Sequence, residues 1–237
     1  MEDNNVKVQA SEEVSYDSYL KGTAKHINRE EYCMQQICGF IDDAAGRAGD
    51  KCLSLLELGF GDGTRFRELC SRYQDASFIG LEVRKEPVES MAKLGYDCRL
   101  VETEMFDEFF TSGERFDVIY GYGVIHHMSD PYKSMESLIK LLKPGGIIVL
   151  FGEHHRFDLL SHLNATVKGN WAYEKNAFKV KRKSFKQLLD RHTKNYHIEY
   201  DNNGFVICFK KLNSIYCKLR LHRVPLWNCM TIFARVD

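Results

Sequence analysis

Residues 55–64, with the sequence LLELGFGDGT, carry the most information about the fold of this chain. The first half is an apolar run that contains Glu57, which predicts a buried strand. The second half places Gly59, Gly61 and Gly63 at alternate positions. Glycine takes up positive φ angles without strain and lets a ligand lie directly against the main chain. The stretch therefore predicts a strand that runs into a cofactor-binding turn.

The glycine spacing separates two large groups of enzymes. Dinucleotide sites use G-x-G-x-x-G, in which the third glycine clears the packing of helix on strand. Here the order is G-x-G-x-G behind Glu57, so a nicotinamide oxidoreductase is the least favoured alternative. The four residues Glu57, Gly59, Gly61 and Gly63 resemble the first motif of the class I S-adenosylmethionine-dependent methyltransferases. The resemblance implies that the turn holds the methionine end of that cofactor.

The next predicted strand, Ser77 to Glu82, is a short apolar run that ends in an acid. Glu82 lies 21 residues after Gly61, and a carboxylate at the tip of a second parallel strand can accept hydrogen bonds from both ribose hydroxyls. The resemblance assigns Glu82 this ribose contact. We expect the following residue, Val83, to belong to the same cofactor site.

A third apolar run, Cys98 to Val101, leads into the acidic segment ETEMFDEFF. In the methyltransferases that the chain resembles, an acid in this segment often contacts the adenine amino group. Glu104 or Glu102 can fill that position, while most of the other acids in the segment are expected to be surface charge.

The fourth predicted strand, Phe116 to Tyr120, runs into the turn GYGVIHHM, residues 121–128. This pattern resembles the fourth-strand motif of the family, in which the backbone passes the cofactor and a histidine often faces the methyl group or the acceptor. The resemblance places Tyr122 at the cofactor and His126 and His127 near the reacting groups.

Further landmarks follow in the order that the family implies. Asp130 and Pro131 predict the start of a helix, since aspartate caps free amides and proline suits the first helical position. The segment LKPGG, residues 142–146, precedes a predicted fifth strand at Ile147–Phe151. Two later apolar runs, Phe205–Phe209 and Cys229–Arg235, predict the antiparallel pair that closes the sheet.

These landmarks predict an α/β fold, a Rossmann-like doubly wound sheet of seven strands. The sheet is expected to be mostly parallel with an antiparallel C-terminal strand, and helices are expected on both faces. We expect one methyltransferase domain over residues 1–237. It comprises a helical or lid segment at 1–50, a cofactor-binding core at 51–151, and a substrate-cover insertion with C-terminal strands at 152–237.

Composition restricts the partners. The chain has 33 lysines and arginines against 33 aspartates and glutamates, so its net charge does not favour nucleic acid. Its apolar runs are shorter than a membrane span, and a small-molecule acceptor is favoured.

The eight cysteines lack a C-x-x-C pair and are expected to be reduced and structural, and no metal site is expected. The acidic N-terminal sequence does not resemble a secretory signal, which predicts a cytoplasmic location. The oligomeric state is left open.

The expected reaction is the transfer of a methyl group from S-adenosylmethionine to an O, N or C atom of the acceptor. A histidine has a suitable pKa to take a proton from such an acceptor, and His127 is the first candidate. His154, next to Glu153 and His155 after the fifth strand, is the second.

Two further alternatives remain open. The acceptor is RNA or protein if the basic run at residues 179–183 holds a phosphate backbone or an acidic surface. A methyltransferase-like subunit without enzymatic activity is the other alternative, with residues 211–225 as its binding segment. The intact glycines and Glu82 favour cofactor binding over that second alternative.

Overall fold

The structure is a computed structural model that describes residues 29–49, 51–102, 104, 106–110, 113–156, 175–201 and 229–237. Its strands are β1 (Ser54–Leu58), β2 (Ser77–Glu82), β3 (Cys98–Leu100), β4 (Phe116–Tyr122), β5 (Leu142–Glu153), β6 (Asn195–Asp201) and β7 (Cys229–Arg235). Its α-helices are α1 (Arg29–Ala48), α2 (Thr64–Arg72), α3 (Lys85–Lys93), α4 (Phe106–Phe109), α5 (Pro131–Lys140) and α6 (Arg182–Leu189). Short 3₁₀ turns lie at Ile125–His127 and Lys175–Lys179.

The strands form one sheet in the order β3-β2-β1-β4-β5-β7-β6. All neighbours from β3 to β5 are parallel, and β7 runs antiparallel to both β5 and β6. The chain order reverses between β1 and β4, and ligands of open α/β sheets bind at the carboxyl ends of the strands beside such a reversal. The predicted fold class is confirmed.

Both faces of the sheet are covered because alternate residues of the buried strands point to opposite sides. From β1, Leu56 packs in a core with Met135 of α5 and Phe185 of α6. On the other face, Leu55 packs in a second core with Phe66 of α2 and with α1. Parallel strands that are covered on both faces have mostly apolar sequences. This is why β1, β2 and β4 could be predicted from the sequence.

The start of α5 agrees with its sequence signal. Asp130 accepts hydrogen bonds from the backbone N–H groups of Tyr132 and Lys133, both at 3.2 Å, and Pro131 is the first helical residue. The start of α6 follows a different pattern. Its N-cap residue is Lys181, which makes no side-chain capping bond.

The end of the fifth strand is corrected. This strand continues to Glu153, so Gly152 and Glu153 belong to β5 and not to an insertion. Within the described residues β7 pairs with β5 and β6, and the predicted strand at residues 205–209 lies outside them. β6 is at the edge of the sheet and alternates polar residues with Tyr196, Ile198 and Tyr200, so it lacks the continuous apolar run used to find strands.

A bulge near the end of β5 changes the direction of its last side chains. Leu150 is paired with Ile232 of β7, whereas Glu153 is paired with Met230, so β5 holds one extra residue in this interval. Gly152 lies within it at φ 66°. Because directly paired residues share a face of the sheet, the bulge turns Glu153 to the side of Met230, where the 3₁₀ turn after β4 lies.

The six cysteines within the described segments are free thiols. Burial raises the pKa of Cys98 to about 12 and that of Cys70 to about 11, which keeps both thiols protonated and supports a structural role. Among the helices of the described segments, none has the length and apolar character needed to cross a bilayer.

Candidate functional site

The glycine turn joins β1 to α2, and two of its glycines are required for different reasons. Gly61 has φ 65°, and the space where a Cβ would stand holds no heavy atom within 4 Å. Gly63 has φ 79°, and a Cβ there would lie 2.5 Å from the sulfur of Met91 on α3. Gly63 therefore allows the helices to pack, whereas Gly61 presents bare backbone to open space. Gly59 begins the turn, and its N–H donates to the carbonyl of Leu81 at 2.8 Å.

Glu82 lies directly against this turn. Its side chain is buried, and its Oε2 accepts a hydrogen bond from the Gly61 N–H at 3.0 Å. Its Oε1 accepts from the backbone N–H of Val83 at 3.1 Å. The Val83 side chain is 68% exposed, an unusual degree for valine, and leaves an apolar surface beside the carboxylate. The structure thus brings together Gly61, Glu82 and Val83, which were predicted from two separate motifs.

The Glu82 carboxylate also contacts the guanidinium of Arg84. Arg84 Nε lies 3.2 Å from Oε1, and Arg84 Nη2 lies 3.3 Å from Oε2. The Arg84 side chain is 58% exposed, so it can swing into solvent at little cost. Hydroxyl donors of a ligand can take its place on Glu82 without leaving a buried group unsatisfied.

Glu57 lies beneath the turn. Its carboxylate is fully buried, and its Oε1 accepts from Arg65 Nε on α2 at 3.0 Å. Burial raises the pKa of Glu57, and the Arg65 guanidinium offsets part of that effect. The same guanidinium lies 5.9 Å from the ring centroid of Tyr122, at the end of β4. Glu57 and Tyr122, both predicted to bind cofactor, are thus linked through Arg65, and their cofactor contacts stay predictions.

Glu104 connects the segment after β3 to the start of α5. Its Oε1 accepts from the Ser129 N–H at 2.6 Å, and its Oε2 accepts from the Ser129 hydroxyl at 2.5 Å and from the Asp130 N–H at 3.2 Å. Burial by itself raises the pKa of Glu104, but these hydrogen bonds outweigh it and leave that pKa below its ordinary value. The adenine contact stays a prediction, and Glu104 has a structural role beside it. Glu102 is exposed.

A buried acid and histidine meet where β4 and β5 end. Glu153 Oε2 lies 2.7 Å from His126 Nδ1, and Glu153 also accepts from the backbone N–H groups of Val124 and His126, each at 3.0 Å. The His154 N–H is 3.3 Å from the same ring nitrogen. We assign the Nδ1 proton to the shorter contact with Glu153.

The ionisation of this pair follows from its surroundings. Burial lowers the pKa of His126, and the bond to Glu153 only partly offsets that effect. Burial raises the pKa of Glu153, but the hydrogen bonds and charge at His126 outweigh it and leave that pKa below its ordinary value. At neutral pH the pair is therefore a carboxylate that orients a neutral imidazole.

The two histidines predicted to be catalytic flank His126. The ring centroid of His127 is 4.1 Å from that of His126, and the centroid of His154 is 4.7 Å from it. His127 is exposed, while His154 is half-buried with its Nδ1 3.3 Å from the Cys229 sulfur. We call His126, His127 and His154 the histidine cluster. Sequence reasoning found its outer members but missed the Glu153–His126 pair, which depends on the bulge at Gly152.

The glycine turn, Glu82 and the histidine cluster all lie at the carboxyl ends of parallel strands β1, β2, β4 and β5. This edge is where an open α/β sheet binds its ligands. The Glu82 carboxylate and the bare backbone of Gly61 lie on one side of the point where the strand order reverses. The histidine cluster lies on the other side.

Residues 56–148 match the family model for a methyltransferase domain. A ubiquinone biosynthesis O-methyltransferase from Cereibacter sphaeroides is 32% identical over 128 residues, which are 51% of this chain and 50% of that protein. A protein of the same name from Aliivibrio fischeri is 30% identical over 132 residues, 54% of this chain and 53% of its own length. The chain therefore spans about half the length of these relatives.

Solved structures share the fold over almost the whole chain. The plantazolicin methyltransferase BamL, in complex with a triazolic desmethylPZN analog and SAH, has a TM-score of 0.61 at 18% identity, covering 94% of this chain and 91% of that one. The N-methyltransferase NodS from Bradyrhizobium japonicum has a TM-score of 0.53 at 13% identity, covering 93% and 97%. Residues 56–148 are therefore similar to a methyltransferase domain, and the chain shares the fold of these solved methyltransferases.

Proposed function

We propose that this chain is an enzyme that transfers a methyl group from S-adenosylmethionine to a small-molecule acceptor. The observation that carries the proposal is the position of the Glu82 carboxylate, which is buried against the Gly61 backbone. The space above that backbone, where a Gly61 side chain would stand, holds no heavy atom within 4 Å. A carboxylate in this place serves a ligand that brings two adjacent hydroxyl donors, as a ribose does.

The residues at this edge fit that cofactor. Glu82 accepts the ribose hydroxyls after Arg84 swings away, and the exposed Val83 side chain packs against the adenine ring. Gly61 passes the methionine portion without a side chain in the way, Gly59 begins the same turn, and Tyr122 closes the site from β4. The bound cofactor supplies a methyl group already activated by its sulfonium.

The chain itself then has to position the acceptor, exclude water and remove a proton where the acceptor atom carries one. His127 is the exposed member of the histidine cluster, and we assign it this proton-accepting role, with His154 as the second candidate. The neutral state of His126 supports this assignment, since a neighbouring imidazolium would lower the basicity of both rings. Glu153 and His126 act as positioning residues beneath them.

The small-molecule acceptor is supported by the names of the similar proteins, which act in ubiquinone biosynthesis or on plantazolicin. The names also include O-methyltransferases, an N-methyltransferase and a carbon methyltransferase, so the fold is compatible with all three acceptor atoms. The balanced charge of the chain agrees with a small acceptor more than with nucleic acid.

Two measurements on the full chain test this proposal. Calorimetry with S-adenosylhomocysteine tests the cofactor site, and the absence of binding would refute the proposal. Incubation with methyl-labelled S-adenosylmethionine and fractionated metabolites tests turnover and identifies the acceptor. Cofactor binding without label transfer to any fraction, protein or RNA would instead support the subunit that binds without catalysis.

A further inference from the structure

A cavity of about 800 Å³ lies between α6 and the edge strand β6. Its volume is typical of a site for a small ligand. One wall is basic and the other is partly aromatic, with lining residues that include Lys181, Lys183, Lys186, Tyr196, Ile198 and Tyr200. We call this cavity the basic groove.

The groove concentrates positive charge in a chain whose charges otherwise balance. The lining of the groove contains four lysines and two arginines against one carboxylate, that of Asp190. Within the described part of the chain, Lys181, Lys183 and Lys186 make no ion pair. Asp190 also lines the groove, where its Oδ1 accepts from the Tyr196 hydroxyl at 2.7 Å. One carboxylate among this many cations leaves a positive field directed into the cavity.

The first turn of α6 adds to this field. Lys181, Arg182 and Lys183 line the groove where the helix begins, and the N-cap residue provides no side-chain acceptor for the free N–H groups. A helix start carries a partial positive charge and presents backbone donors to anions. The helix start and the lysine side chains therefore favour the same kind of ligand.

The groove begins next to the histidine cluster. His155 lines the groove and is the chain neighbour of His154, with Cα atoms about 3.8 Å apart across the peptide bond. The His155 ring is buried, and its centroid lies 5.0 Å from that of Tyr200 on β6. The Arg156 N–H donates to the Val180 carbonyl at 3.2 Å, which joins the end of β5 to the segment before α6.

We propose that the basic groove binds an anionic group, a phosphate or carboxylate, carried by the methyl acceptor. The inference rests on the proposed function, because it names the class of acceptor. An acceptor whose reacting atom lies at the histidine cluster can extend its anionic end along His155 into the groove. Lysines that lack carboxylate partners then gain charge-assisted hydrogen bonds to that group.

The test compares two double variants of the full chain, with inorganic pyrophosphate as the probe in calorimetry. Lys183→Glu with Lys186→Glu reverses two charges in the groove. Lys51→Glu with Lys93→Glu reverses two exposed lysines elsewhere and gives the same net charge. We expect pyrophosphate to bind the parent chain. The groove variant should weaken this affinity at least about tenfold, since it removes two charge-assisted hydrogen bonds and puts two negative charges in their place. The control should stay within about twofold, because distant charges are screened by salt.

Three results would overturn the inference. They are no binding of either pyrophosphate or citrate by the parent chain, equal weakening by both variants, and salt-sensitive binding of a short single-stranded RNA that displaces the anion. The last would identify the groove as a nucleic-acid site. Citrate in place of pyrophosphate distinguishes the sources, since tighter citrate binding indicates a carboxylate and tighter pyrophosphate binding a phosphate. S-adenosylhomocysteine binding separates the two proposals. If the parent chain binds S-adenosylhomocysteine but neither pyrophosphate nor citrate, only the groove inference is refuted.

Discussion

Glu153 Oε2 lies 2.7 Å from His126 Nδ1, and both side chains are buried where β5 and β4 end. The same carboxylate accepts hydrogen bonds from the backbone N–H groups of Val124 and His126, in the turn after β4. One acid therefore fixes both the loop and the ring on which His127 and His154 pack. The precise placement of the outer histidines depends on this contact.

Replacing Glu153 by glutamine should lower the rate of label transfer by about 10- to 100-fold, the usual cost of misplacing reacting groups by a fraction of an ångström to an ångström. Glutamine places an amide N–H₂, which donates, where Glu153 accepts from the backbone N–H groups and from the His126 ring, so one of these donors loses its acceptor. The affinity for S-adenosylhomocysteine should stay unchanged. Glu136→Gln, on the outer surface of α5, is the control. A parallel loss of cofactor affinity in Glu153→Gln would show that Glu153 supports the cofactor site instead.

Replacing His127 by alanine should reduce turnover while cofactor affinity is retained, because general-base catalysis contributes about 10²- to 10⁴-fold. His154→Ala should give a smaller loss, and His192→Ala, which lies beside Glu136 and does not line the basic groove, serves as the control. Single-turnover measurements with the identified acceptor would resolve the three variants. Full turnover in both His127→Ala and His154→Ala would exclude the proposed base.

Replacing His126 by asparagine should reduce the dependence of stability on pH. The folded pKa of His126 lies below its unfolded value of 6.5, so acid protonates the unfolded chain first and destabilises the fold. Asparagine keeps an N–H near the Nδ1 position for Glu153 but does not titrate. Urea unfolding at about pH 7.5 and about pH 5.5 should show a smaller loss in the variant. Equal losses in both proteins would contradict the neutral state assigned to His126.

Replacing Glu82 by alanine should weaken S-adenosylhomocysteine at least about tenfold, because each hydrogen bond to a charged acceptor contributes about 1.5–3 kcal/mol. Arg84→Ala should leave the affinity unchanged or raise it, since it removes the group that competes for Glu82. Calorimetry on both variants separates the roles. Equal weakening by Arg84→Ala would mean that the arginine helps to hold the ligand.

Replacing Arg65 by methionine should destabilise the fold by about 3–5 kcal/mol, because it leaves the buried Glu57 carboxylate without its counter-ion. The double variant with Glu57→Gln should recover part of this loss, since the charge is then removed. Urea unfolding measures both. A double variant no more stable than Arg65→Met would show that the arginine acts through packing on Tyr122 rather than through charge.

The cofactor half of the molecule could be read from the sequence because its signals are local. Each of β1, β2 and β4 is a mostly apolar run that ends in an acid or leads into a glycine, and Asp130 caps its helix through neighbours two and three residues away. Gly61 and Glu82 were predicted separately, and the parallel sheet places both at the same edge, where the Gly61 N–H donates to Glu82.

The acceptor half was harder to predict because its contacts depend on register. His126 and Glu153 are 27 residues apart in sequence, and they meet because one extra residue in β5 turns the acid to the other face. Period-two reasoning places Glu153 with Phe151, on the opposite side. The edge strand β6 was missed for a related reason, since its apolar residues alternate with polar ones.

The bulge at Gly152 has a further consequence. The match to the methyltransferase family model ends at residue 148, four residues before this glycine. His126 and His127 lie within the matched region, whereas Glu153, His154 and the lysines of α6 follow it. The bulge therefore joins the two parts of the chain, because it turns Glu153 from the second part against His126 from the first.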